Sequence, residues 1–475
     1  MSEQAASNPQ HFDVVVIGGG PGGYAAALYG ASAGMNIALV EYDKIGGTCL
    51  HRGCIPAKEL LETAAIVRTV KHAGDFGVVV EPKSLDWGVT LARKQMVIDR
   101  LTSGVTGLLK NRKVTIFNGF GTLGANRVVK IAGVDGDNAE ITGDAVILAS
   151  GSAPRVIPGF EPDGTTVVTS DEFFNIPQVP RSAVVIGGGA IGCEFASTLA
   201  DLGAKVTILE ALPKILPGCD QDVTRVVLQS FKKKGIDVRT GAAVAGHSPN
   251  PGGGTSVSVE GADAPIDTDL VVVSVGRVPF TKDLLADGTA VKISDRGHIE
   301  VDRLCRTEEP LVWAVGDAIN SPQLAHVAFA EAIMIIKDIL GESPESVDYA
   351  NVPWAIYCQP EVAFAGHSEE SANEAGFDVV VSKHRYAGNS RAQIIGETDG
   401  LVKIIAEKKE DGTGGRILGV HMVGPWVTEQ LSGGYLAVNW EATVDEVAQF
   451  LQPHPSLSEL FGESVLSLTG RSLHG

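Results

Sequence analysis

Two stretches of the sequence lie over one another without a gap, and this repeat narrows the possible folds more than any other feature. VVVIGGGPGGYAAALYGASAGMNIALVE, from Val14 to Glu41, matches AVVIGGGAIGCEFASTLADLGAKVTILE, from Ala183 to Glu210, at a constant offset of 169 residues. Each copy opens with an apolar β-branched run and continues with G-x-G-x-x-G, as Gly18, Gly20 and Gly23 and again as Gly187, Gly189 and Gly192. A helix of small residues follows, closed by Gly34 or Gly203, and then a second apolar run ends in Glu41 or Glu210, 18 residues beyond the third glycine. Glycines at those positions let a tight turn and a helix approach a pyrophosphate, the helix N-terminus supplies N–H groups and positive potential, and the acid bonds a ribose hydroxyl. One G-x-G-x-x-G is weak evidence, because a glycine-rich turn packing helix on strand looks the same. Two copies with both acids in register predict an α/β chain with two Rossmann-like dinucleotide-binding domains.

A chain that binds two dinucleotides is built to pass electrons between them. Directly after the first repeat, GGTCLHRGCIPAKELL (46–61) places Cys49 and Cys54 five residues apart. A working redox pair there lies beside the first ligand, which makes FAD the cofactor of the first module and leaves a nicotinamide for the second. Glu210 points to NAD, since an acid repels a 2′-phosphate and Lys214 is the one base nearby. Three readings of the cysteines compete: buried structural thiols, half of a metal site, or a disulfide that opens and closes. No second Cys or His cluster at zinc spacing is present, so no metal is expected. Pro56 and Lys58 give the pair a helix start and a nearby cation, both of which favour a thiolate. In a regular helix residues five apart have Cα atoms about 8.6 Å apart, whereas a disulfide tolerates about 7 Å. The turn must therefore be distorted if the pair closes, and Gly53 and Pro56 permit that.

Composition sets the class. At 475 residues with 44 % apolar and 20 % charged side chains, the chain is long enough for two to four globular domains. The net charge of −19 argues against nucleic acid and anionic membrane surfaces as partners. No apolar run approaches the roughly 20 residues of a membrane span. The start, MSEQAASNPQHFD, lacks a secretory or transit pattern, and six cysteines in so long a chain are no disulfide framework, so a cytoplasmic protein is expected. Cys193, Cys219, Cys305 and Cys358 read as apolar fillers, and His326 and His421 as packed or capping residues.

Further boxes resemble those of the flavin-dependent pyridine nucleotide-disulfide oxidoreductases over nearly the whole chain. They are GGTCLHRGCIPAK around the cysteines, ILASGSAPR (147–155), VSVGRVPFTK (273–282), LVWAVGDAI (311–319) and QPHPSLSELFGE (452–463). The resemblance implies an FAD domain (1–150), an NAD domain (151–279), a central part returning to the flavin (280–349) and a C-terminal α+β dimerisation domain (350–475). It implies that Cys49 meets the substrate, that Cys54 faces the flavin, and that His454 and Glu459 form a catalytic dyad supplied across a homodimer. Asp317 would face the flavin's ribityl chain, and Lys58 and Glu194 would pair near its N5. Further cofactor contacts are implied at Thr48, Gly121, Ser150, Gly151, Gly276, Arg277 and Ala325. The implied reaction oxidises protein-bound dihydrolipoamide to lipoamide with reduction of NAD, the partner being the lipoyl domain of a 2-oxo acid dehydrogenase or glycine cleavage complex. Gln452, Ser456, Ser150 and Ala57 depart from the family pattern, Gln452 standing where a histidine is common. Reduction of another disulfide or of mercuric ion, a flavin transhydrogenase, and a subunit whose main role is docking remain as alternatives.

Overall fold

In the computed structural model residues 9–81 and 84–474 are described, and they form two compact units. The first is built from residues up to Glu59, Gly88–Arg155 and Gly276–Tyr349; the second from Leu60–Trp87, Val156–Val275 and residues from Ala350 onward.

In the first unit the strand Gln10–Ile17 pairs in parallel with Ile37–Glu41 on one side and Ala139–Leu148 on the other. Thr115–Leu123 and Val312–Ala314 extend this parallel layer, and Val128–Gly133 pairs antiparallel to both Thr115–Leu123 and Ala139–Leu148. Val14–Val16, Ala38–Leu39 and Val146–Leu148 are fully buried, as expected for parallel strands covered on both faces, which read as unbroken apolar runs. Each such Val, Leu or Ile side chain contributes about 1.5–3 kcal/mol by leaving water. The helices Pro21–Ser32 and Ala325–Ile339 pack together, with the rings of Tyr24 and Phe329 5.7 Å apart. Ser152–Pro154 and Arg277–Pro279, from the two crossover boxes, pair antiparallel.

The second unit repeats the motif with Asp237–Thr240, Lys205–Glu210, Ser182–Ile186, Leu270–Val273 and Val167–Val168 in one parallel sheet. An antiparallel sheet from Trp354–Ile356, Glu361–Gly366, Gly414–Gly424, Leu401–Lys408 and Val379–Arg385 belongs to the same unit, covered by the helix Val427–Asn439. The glycine-rich stretches PNPGGG and KKEDGTGG turn the hairpins Val244–Val259 and Leu401–Gly424. The segment 60–87 groups with this unit, tied by Arg68 and Lys71 to Asp201 and by the Trp87 indole N–H to the Ile176 carbonyl at 2.9 Å. Tyr357 and Gln359 N–H groups donate to Glu194 and Ser197, which joins the second dinucleotide module to the antiparallel sheet.

Candidate active site

The two glycine loops are alike in detail. Gly18 and Gly187 both sit at φ +107°, and a Cβ there would fall 2.2 Å from the Ala149 carbonyl oxygen or 2.5 Å from that of Ser274. A Cβ on Gly23 or Gly192 would meet the carbonyl oxygen of Gly18 at 1.8 Å or of Gly187 at 1.9 Å, so only glycine lets the helix close on the strand. Around the middle glycines the space is open: Gly189 has nothing within 4 Å of a Cβ, and Gly20 has only the Gly47 Cα at 4.0 Å. Gly20 and Gly189 begin helices of 12 residues with no side-chain cap, leaving orphan N–H groups at a positive helix end. The donors suit the phosphates of a dinucleotide in both modules.

The two acids are seated in the same way. Glu41 Oε2 accepts the Gly19 N–H at 2.6 Å and Oε1 the Asp43 N–H at 2.7 Å; Glu210 accepts those of Gly188 at 2.6 Å and Leu212 at 2.7 Å. Each oxygen keeps a lone pair for a ribose hydroxyl. Burial raises the Glu41 pKa, against the pull of its main-chain donors.

The cysteines are placed by the first glycine loop. Gly46 and Gly47 both have positive φ, the Gly46 N–H donates to the Gly19 carbonyl at 2.8 Å, and a Cβ on Gly47 would lie 2.6 Å from the Gly20 Cα. The short helix Gly47–Arg52, which carries Thr48 and Cys49, is thereby pressed against the loop. It ends at Gly53, and a new helix, Cys54–His72, starts at once with Lys58 in its second turn. The break at Gly53 is the distortion that the five-residue spacing demands. A Cβ on Gly53 would sit 3.1 Å from the Thr48 carbonyl oxygen and 3.4 Å from the Cys49 Cα. Both thiols are half-buried, and the Cys49 pKa is raised well above its usual range by its hydrogen bond to Cys54, then by burial and the charge of Cys54, while Lys58 acts in the opposite sense.

Around the crossover, Ser150 Oγ is buried without a hydrogen-bond partner, an orphan polar atom that suits a ligand. Gly151 and Gly276 have positive φ and no atom within 4 Å of a Cβ. Arg277 Nε donates to Ser152 Oγ at 2.7 Å, and that hydroxyl donates to Asp317 Oδ2 at 2.5 Å. Asp317 lies in the turn Gly316–Ala318, and Ala325 begins the helix Ala325–Ile339. Gly121 is packed by Ile17 and Val40, whose methyl carbons lie 3.1 Å from where its Cβ would be. Ser152 was missed from the sequence although it stands inside the quoted crossover box.

In the second unit Glu194 is buried on the helix Ala190–Asp201. His454 Nδ1 meets Glu459 Oε1 at 2.7 Å, and Glu459 Oε2 accepts the Ser456 N–H at 2.8 Å. An ionised carboxylate can only accept, so Nδ1 carries the proton and Nε2 is left as the basic nitrogen. The His454 side chain is 70 % exposed. Gln452 lies over Gly462, its Cγ 2.9 Å from where a Cβ would be. Cys193, Cys219, Cys305 and Cys358 are buried, and burial is the main cause raising each thiol, Cys219 and Cys305 to about 12. His421 is buried too, its Nε2 2.8 Å from the His367 carbonyl oxygen. Among the described residues no His, Cys, Asp or Glu cluster could hold a metal, and no helix is long and apolar enough to cross a membrane.

Residues 12–332 match the family model for pyridine nucleotide-disulphide oxidoreductases, and residues 352–465 match the dimerisation domain of that family. A dihydrolipoyl dehydrogenase of Bacillus subtilis is 39 % identical over 98 % of this chain and 99 % of its own, and one from Zymomonas mobilis is 37 % identical over 98 % and 99 %. Among solved structures, LpdA from Mycobacterium tuberculosis aligns with a TM-score of 0.89 at 26 % identity, covering 97 % of this chain and 99 % of that one. The HOCl-induced flavoprotein disulfide reductase RclA from Escherichia coli aligns at 0.84 and 27 % identity, covering 96 % and 99 %.

Proposed function

The chain belongs to the pyridine nucleotide-disulphide oxidoreductase family, and from that premise we propose that it works as a dihydrolipoyl dehydrogenase, oxidising dihydrolipoamide to lipoamide and reducing NAD. The observation that carries this reading is the Cys49–Cys54 thiol pair, hydrogen-bonded across the break at Gly53 and pressed against the first glycine loop. FAD fits that module: Gly20 leaves room for the pyrophosphate while Gly18 and Gly23 let the turn and helix close behind it, Glu41 offers the ribose an acceptor, and Thr48, Lys58, Gly121, Ser150, Gly151, Asp317 and Ala325 complete its surroundings. NAD fits the second module through Gly187, Gly189, Gly192 and Glu210. When bound, FAD supplies two-electron chemistry between the dithiol and NAD. We assign residues 1–150 and 280–349 to FAD, 151–279 to NAD and 350–475 to the dimer contact.

The protein residues handle the sulfur chemistry. His454 Nε2, with Nδ1 tied to Glu459, takes a proton from one substrate thiol, and the resulting thiolate attacks Cys49 Sγ of the oxidised pair. The Cys49–Cys54 bond breaks, Cys54 leaves as thiolate and a substrate–Cys49 disulfide forms. The second substrate sulfur, on losing its proton, displaces Cys49 and closes lipoamide; Cys49 takes up a proton while Cys54 stays ionised, and Lys58 favours that charge. Two electrons have then passed from substrate to the cysteine pair.

The dimerisation domain supports a homodimer. Trp440, Phe450 and Leu451 are 73 %, 65 % and 90 % exposed there, an apolar surface suited to a second copy, and Leu451 lies just ahead of His454. On this reading the dyad of one chain serves the disulfide of the other, the electron donor is the lipoyl domain of a 2-oxo acid dehydrogenase or glycine cleavage complex, and the enzyme is cytoplasmic.

Steady-state assays with dihydrolipoamide test the reading. NAD should be reduced at a rate orders of magnitude above NADP, and Cys49→Ser should abolish lipoamide turnover while FAD stays bound and NADH-to-dye reduction persists. Substantial lipoamide turnover by Cys49→Ser, or equal use of NADP, overturns it.

A further inference from the structure

The helix Ala325–Ile339, AHVAFAEAIMIIKDI, is apolar along most of its length and carries one carboxylate at its centre, Glu331, which is 0 % exposed. A charge so placed requires partners, and each of its oxygens has a donor. Oε2 accepts the Gly316 N–H at 2.7 Å, and Oε1 accepts the Tyr349 hydroxyl at 2.8 Å. Gly316 has φ +69°, a conformation suited to glycine, and opens the turn that carries Asp317. The Asp317 side chain is held in turn by Ser152, and Ser152 by Arg277. Asp317 is thus fixed twice, its main chain through Gly316 and its carboxylate through Ser152.

We propose that Glu331 is a positioning residue for the flavin site: it pins Gly316 so that Asp317 is presented to the cofactor, and Tyr349 holds Glu331 in place. The inference rests on the assignment of Asp317 to FAD in the proposed function. Donor and acceptor counting separates the substitutions. A glutamine can accept the Gly316 N–H on its amide oxygen and donate its N–H to the Tyr349 oxygen, so Glu331→Gln preserves the turn. Glu331→Ala leaves both donors buried without an acceptor.

The test is the FAD dissociation constant of the full-length chain, stripped of flavin and titrated with FAD while free-flavin fluorescence is followed. Glu331→Ala should weaken binding about tenfold to a hundredfold, the scale of one buried donor left unsatisfied, and Glu331→Gln should stay close to wild type. In an Asp317→Ala background Glu331→Ala should add little, because both changes act through one contact. Wild-type affinity in Glu331→Ala, or a full additive loss in the Asp317→Ala background, overturns the inference. Asp317→Ala with undiminished affinity overturns the Asp317 assignment itself, whereas weakened Asp317→Ala beside unaffected Glu331→Ala overturns this inference alone. If circular dichroism shows Glu331→Ala to be unfolded, Tyr349→Phe takes its place: a several-fold loss of FAD affinity supports the inference, and unchanged affinity overturns it.

Discussion

Gly53 shows how much of the site rests on one absent side chain. The sequence already states the problem, since Cys49 and Cys54 are too far apart in an unbroken helix, and names the residue able to solve it. The structure supplies the reason, because the Thr48 carbonyl and the Cys49 Cα occupy the space beside Gly53. Both are backbone atoms and cannot swing aside. Gly53→Ala should therefore move Cys54 relative to Cys49 and lower lipoamide turnover about tenfold to a hundredfold, the scale of a small misplacement of reacting groups. NADH-to-dye reduction, which needs no thiol geometry, should change far less, and the ratio of the two rates is the measurement. Equal loss of both would assign Gly53 to general packing. Glu331 marks the limit of such reading. An acid at the centre of an apolar helix announces that it needs partners, but Gly316 and Tyr349 are named only by the fold.

At the scale of elements, the least legible feature is a buried charge cluster in the second unit. Lys403, on the strand Leu401–Lys408, is 1 % exposed and its Nζ bonds both oxygens of Asp220, one of Asp222 and one of Glu369 at 2.6–2.9 Å. Asp220 is also the N-cap of the helix Gln221–Lys233, which it fixes by accepting the Asp222 N–H at 2.9 Å. Taken singly in the sequence these residues resemble solvated charges, and no local period links positions so far apart. Burial alone would raise the pKa values of Asp220 and Asp222. Lysine partners outweigh it, Lys403 for both and Lys383 for Asp222, and the net shift of each is downward. Folded pKa values below the unfolded value of about 3.9 mean stability that is present above that pH and is lost as pH falls through the folded values. His421, beside Lys403 on the paired strand, has its pKa lowered by burial, so its share is lost earlier, as pH falls below about 6.5. Lys403→Met leaves Asp220 buried and uncompensated and should cost about 3–5 kcal/mol at pH 7. The deficit should shrink toward pH 3.5, where the carboxylates of the variant are protonated. Denaturant midpoints of both proteins at the two pH values check this, and a deficit independent of pH would locate the loss in packing.

Over the whole molecule the repeat announced both dinucleotide modules because strand, glycine turn, helix and acid are all local in sequence. Hidden were the long-range groupings: 60–87 gathers with 156–275 through Asp201 and Ile176, and the last 126 residues join them through Glu194 and Ser197. The same limit applies to the dyad, where five residues of spacing make the His454–Glu459 bond readable but leave open which chain's disulfide it serves. Its ring is largely exposed, and Phe450 and Leu451, just ahead of it in sequence, present apolar surface; under the proposed function this is a base offered to another subunit. His454→Gln should slow dihydrolipoamide oxidation by about 10² to 10⁴, the usual worth of a positioned base, and spare NADH-to-dye reduction. Mixed with Cys49→Ser and allowed to exchange subunits, it gives the sharper result. In a shared-site heterodimer one site carries both defects and the other carries neither, so activity should return in proportion to the heterodimer formed. If exchange is demonstrated by tagged-subunit capture and activity stays at the level of the parent variants, each dyad serves the disulfide of its own chain.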